Sequence, residues 1–96
     1  GADHVLAQLV AQHAQRQEVQ LRRAEQSTSL AHAALNRRGD CGAAADHLLH
    51  AAASFGGYTA EKDWGETSAR GERAASNAYA AVKEQFHERC VVGQAR

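Results

Sequence analysis

Ala31-His32-Ala33-Ala34-Leu35-Asn36-Arg37-Arg38-Gly39-Asp40-Cys41-Gly42-Ala43-Ala44-Ala45-Asp46-His47-Leu48 is the stretch that decides the fold. A helical pattern runs into Arg37 and Arg38, where positive charge meets the negative end of a helix. Gly39 follows as a terminator, because glycine adopts the left-handed conformation without steric cost. Asp40 then offers a carboxylate to the free backbone N–H groups of a new helix. The expectation is a tight helical hairpin.

Working backward from the turn, a stripe runs through Leu6, Val10, His13, Gln17, Leu21, Ala24, Thr28, Ala31 and Leu35. Its steps of three and four average the α-helical period. This predicts one helix over 4–37, roughly 50 Å long at 1.5 Å per residue, with Asp3 as its N-cap. Its middle is unusual. His13 and Gln17 occupy stripe positions among Gln12, Gln15, Arg16 and Gln20, so residues 12–20 are either solvated or packed through polar contacts.

Working forward, a second helix over 42–55 is expected to bury Ala45, Leu48, Leu49, Ala52 and Phe55 and to end at Gly56-Gly57. A third stripe comprises Trp64, Ser68, Gly71, Ala75, Tyr79, Val82, Phe86 and Cys90. It predicts a helix over 67–92, with Thr59 as a candidate cap and 60–64 as a separate turn or a forward extension, leaving 93–96 as a tail. The whole reads as a single all-α domain over 1–92, a three-helix bundle with long outer helices and a short middle one.

Composition excludes several alternatives. The 96 residues are 44% apolar, yet 22 of the apolar residues are alanine and only 18 are large. Two hydrophobic cores cannot be built from so few. Isoleucine, methionine and proline are absent and aromatics are 5% of the chain, which disfavours a β-sandwich or barrel. Alanine favours helix and the net charge is zero, which disfavours disorder. The longest apolar run, 43–55, is interrupted by Asp46, His47 and His50, so no membrane span is expected. The opening residues also lack the basic and apolar regions of a signal peptide. Charge runs from positive over 1–38 through negative over 39–68 to positive over 69–96, without a net field to steer the chain onto nucleic acid.

Ala31, Ala34, Leu35, Gly39, Asp40, Ala44, Leu48 and Ala51 resemble the turn of a single tetratricopeptide-type hairpin. The resemblance covers about 20 residues, occurs once and lacks that family's tryptophan and final proline. It implies a hairpin over 30–53 and no peptide-binding solenoid, which needs about three stacked copies. The Gly-Asp-Cys turn in a short alanine-rich chain is also similar to small uncharacterised helical proteins of tailed bacteriophages, a resemblance that carries no function.

Several constellations could carry chemistry. His47 and His50 share one side of the second helix, Glu84 and His87 form a Glu-x-x-His, and Cys90 follows three residues later. Together they suggest a zinc or iron site. Against this, a di-iron bundle needs two such motifs, and this chain has one. Solvated histidines and no cofactor are the expectation. Cys41 and Cys90 have two readings: reduced cysteines acting as small apolar residues, as in the cytoplasm, or a disulfide at the shared pole of an up-down-up bundle. Arg38-Gly39-Asp40 matches the integrin-recognition tripeptide, but Asp40 is already required as a cap. Arg22, Arg23, Arg37 and Arg38 could touch phosphates, yet they are spread along one helix with Glu18 and Glu25 interleaved. No nucleophile stands in a strained elbow and no glycine-rich loop opens a helix, so no enzyme is expected.

The mismatch in helix lengths says more than any motif. A short middle helix covers only part of a long first one. The remainder is covered either by 56–66 folding back with Tyr58 and Trp64, or by another protein. The expected function is therefore protein–protein contact or self-association, through Leu6, Leu9, Val10 and His13 at one end and Val91 and Val92 at the other.

Overall fold

A computed structural model of the chain describes residues 1–64 and 68–93. They form three helices, α1 (Ala2–Arg38), α2 (Cys41–Lys62) and α3 (Glu72–Phe86), and a π-helical segment (His87–Val92) that continues α3. No strand occurs among the described residues. The chain is an all-α bundle, as its composition and periodicity predict.

The turn behaves as its residues dictate. Gly39 sits at φ 60°, ψ 29°, and the N–H groups of Gly39 and Asp40 both point to the Ala34 carbonyl. Asp40 Oδ1 accepts from the Ala43 N–H at 2.9 Å and opens α2. Asp3 is not the cap of α1; the helix starts at Ala2 and Asp3 lies in its first turn, where a carboxylate still favours the positive helix end.

Gly56-Gly57 does not end α2, which continues for another turn and a half to Lys62. The reason is tertiary. Tyr58, just beyond the pair, is buried with Leu21 and Ala75, and that burial outweighs the roughly 1 kcal/mol that each glycine costs a helix interior. Gly57 also permits close approach, since a Cβ there would stand 2.8 Å from Gln20 Cδ. Thr59, expected to cap the third helix, instead lies inside α2, its hydroxyl donating to the Phe55 carbonyl at 3.1 Å.

The buried face of α2 is Ala44, Leu48, Ala51 and Tyr58, rather than the expected Ala45, Leu48, Leu49, Ala52 and Phe55. Phe55 is half-buried, and Leu49 is 68% exposed. Two helices that meet through Ala24, Ala31, Ala34, Ala44 and Ala51, all fully buried, gain most by bringing their backbones close. The smallest side chains therefore select the face.

α3 begins at Glu72, not at 67 or 60, because Gly71 takes φ +88° and breaks the helix. Thr67 itself lies outside the described residues. The stripe is correct from Ala75 onward: Ala75 and Val82 are buried, while Tyr79, Phe86 and Cys90 pack against the cluster of Ala31, Ala34, Leu35, Ala44, Leu48 and Val82. A second cluster of Leu21, Tyr58 and Ala75 lies farther along. Cys41 and Cys90 are joined as a disulfide, with Cα atoms 5.7 Å apart. Of the two readings of the cysteines, the structure has the bonded one.

Candidate functional site

The molecule measures 64 × 17 × 16 Å, and its two ends differ in chemistry. At the first end, α2 and the residue pair after it stop level with His13. His13 Nδ1 meets Glu61 Oε2 at 2.5 Å, and its ring stacks on Trp64 with centroids 4.6 Å apart and planes 5° from parallel. Gln17 is 4% exposed and Gln20 lies against Gly57. The polar middle of α1 is thus packed through polar contacts. Gly57 presents no side chain there, and the Gln20 side chain fills the space between the two helices.

Beyond this clasp, α1 runs on alone. Residues 2–12 are exposed throughout, including Val5 at 55%, Leu6 at 59%, Leu9 at 39% and Val10 at 46%. Scattered exposed apolar residues are ordinary, but four within six positions on one helix form a patch. The overhang continues the same helix face that packs on α2, since Leu6 and Val10 precede His13, Gln17, Leu21 and Ala24 at steps of three and four.

The root of α3 is tied to the end of α2. Lys62 Nζ sits 3.0 Å from Glu72 Oε1, and the Tyr58 hydroxyl accepts the Ala69 N–H at 3.1 Å. Hydrogen bonds from Ser68 and Lys62 hold the Glu72 carboxyl below its ordinary range. The same pairing raises the Lys62 ammonium above its own.

At the opposite end, the disulfide, Val91 and Val92 sit beside a shallow groove between α2 and α3, lined by Leu48, Leu49, Tyr79, Phe86 and Val91. Val91 is exposed and Val92 half-buried. The two sets of expected contact residues therefore lie at opposite poles. Val5 belongs to the first surface and was not singled out by periodicity, because an exposed valine has no signature of its own; Leu49, expected in the buried face of α2, lines the second. Glu61 and Trp64 were invisible as partners of His13 because 48 and 51 positions separate them.

The other constellations are dispersed. His47 is half-buried, while His50, Glu84 and His87 are exposed, and Cys90 is held by Cys41. Among the described residues no three of His, Cys, Asp and Glu converge as a metal ion requires. Arg22 pairs with Glu25 at 2.9 Å, and Arg89 donates to Asn36 Oδ1 at 2.8 Å, fastening the end of α3 to α1. Arg37 and Arg38 are exposed in the last turn of α1. Among the described residues no helix is long and apolar enough to cross a membrane. Comparison with protein-family models, with curated proteins and with solved structures finds no match.

Proposed function

We propose that the chain is a non-catalytic helical docking module, whose α1 overhang is the surface another protein binds. One observation carries this reading. Eleven helical residues project past the clasp of His13, Glu61 and Trp64 with Val5, Leu6, Leu9 and Val10 in water, Leu6 and Val10 among them on the face that the remainder of α1 buries. An isolated helix of that length is marginal by itself. Here the bundle continues the helix into solvent as a preformed stripe, which lowers the ordering cost of binding. This is the helix-in-groove type of recognition, in which anchors at helical spacing supply the affinity.

A photo-crosslinking amino acid at Leu9, in cells that produce the full chain, tests the reading. Discrete crosslinked products are expected at Leu9, absent at the exposed outer position Ala53 and lost when Leu6→Asp is added. Equal products at both positions, or none at Leu9, would overturn it.

A further inference from the structure

We infer that the occupant of the overhang is a second copy of this chain, lying antiparallel in the lane that α2 vacates, with Leu6 opposite Leu9. The inference rests on the docking reading above and goes beyond it by naming the partner and its register.

The first support is continuity with an interface already present. α2 runs antiparallel to α1 and covers it as far as His13, where Glu61 and Trp64 close the lane. A helix that extends the same layer beyond that point runs in the direction of α2. The α1 overhang of a second copy, turned by a two-fold rotation, has that direction.

The second support is the order of the side chains. Val5-Leu6-Ala7-Gln8-Leu9-Val10 is a palindrome in its apolar positions. A two-fold interface is isologous: if residue i meets residue j, then j meets i. Antiparallel pairing about the midpoint between Ala7 and Gln8 satisfies that condition for Leu6 and Leu9. Leu6 faces Leu9 twice, and Val5 and Val10 flank the seam on its two sides. At helical spacing, Ala2, Leu6, Leu9 and His13 then form the seam, the 4-3-4 pattern of a left-handed helix pair.

The third support is what this register leaves unopposed. Asp3 comes level with Gln12 of the second copy and His4 with Ala11, so no like charges meet. Ala2, the smallest seam residue, comes level with His13, where the lane is already narrowed by Trp64. A parallel pair would drive the second overhang against the direction of the existing layer.

Four large residues per copy make a small interface, well below the standard size of stable complexes, so the association is weak and concentration-dependent. Sedimentation of the purified, disulfide-intact chain between about 10 µM and about 1 mM is the first measurement. The weight-average mass is expected to climb toward twice that of the chain, and Leu6→Lys or Leu9→Glu alone is expected to hold it at the monomer. Register is tested by mixing variants. Leu6→Lys with Leu9→Glu places opposite charges face to face and is expected to restore a heterodimer, whereas Leu6→Lys with Leu6→Glu is not. Restoration by the second mixture would overturn the antiparallel register. A monomer at the highest concentration would overturn the second copy as occupant, and if Leu9 still crosslinks a discrete foreign protein in cells, the docking reading stands without it. Unchanged helix content by circular dichroism shows that each variant retains the bundle, because positions 6 and 9 lie outside both core clusters.

Discussion

Gly56 and Gly57 are neighbours in one helix and have different physical reasons to be there. A Cβ at Gly57 would run into the end of the Gln20 side chain, whereas one at Gly56 would meet nothing within 4 Å. Gly56 is exposed and helical, so glycine there only adds backbone entropy to the unfolded chain. Gly56→Ala is therefore expected to raise stability by about 0.5–1 kcal/mol, measured by denaturant unfolding. Gly57→Ala is expected to gain less, because Gln20 must first swing aside from a packed position. Equal gains at both sites would show that the α1–α2 approach at Gln20 is looser than the structure has it. The same pair shows why α2 was misread from sequence alone. Paired glycines are a strong local stop signal, and only the burial of Tyr58 against Leu21, a contact 37 positions away, reveals that the helix continues through them.

At the scale of the elements, α1 and the hairpin turn were legible because their determinants are local: a stripe at helical period, Gly39 in the left-handed region, and Asp40 on the Ala43 N–H. The start of α3 was not, since Gly71 fits a helical stripe by spacing and breaks it by conformation. The ion pair of Lys62 with Glu72 joins the end of one helix to the beginning of the next across the connecting segment. Its pH dependence follows from the directions of the two shifts. Glu72 is held below its ordinary value, so its contribution is present above the usual carboxylate range and is lost as pH falls through the lowered value. Lys62 is raised, so its contribution is present below the usual lysine range and is lost as pH climbs through the raised value. The pair thus supports the α2–α3 junction over a broad plateau that declines at both extremes. Both side chains are about one-third exposed, and salt screens such pairs. Lys62→Met is expected to lessen the decline of melting temperature on the acid side without abolishing it, because the Ser68 hydrogen bond to Glu72 remains, measured at low ionic strength. An unchanged acid limb would remove the pair from the account of how α3 is seated.

The whole molecule is a rod with its two specialised features at opposite poles. The candidate docking surface was legible from sequence only as one of two alternatives, because the length mismatch left the rest of α1 either to 56–66 folding back with Tyr58 and Trp64 or to another protein. Tyr58 and Trp64 do fold back, as far as His13, and residues 2–12 extend beyond them. The polar clasp that ends the covered part was not legible, since His13, Glu61 and Trp64 are brought together only by the extension of α2. The disulfide was an open alternative because cysteine spacing carries no distance. Its place in the rod makes a separable prediction. Cys41 follows the hairpin turn and Cys90 sits in the π-helical segment, 49 positions later, so the bond closes α2 and α3, about half the chain, into one loop and restricts the unfolded chain. Replacing both cysteines by alanine, or reducing the bond, is expected to cost about 4 kcal/mol by the loop-closure argument. Because α3 is held at that pole mainly by Val82, Phe86 and Cys90, hydrogen exchange should quicken first over 87–92, before the α1–α2 hairpin loosens. Self-association at the other pole should survive wherever the bundle stays folded, because the overhang shares no contact with the bond. A loss of association on mild reduction, with helix content intact, would mean that the two poles are coupled and that the rod cannot be treated as a stable body carrying an independent docking stripe.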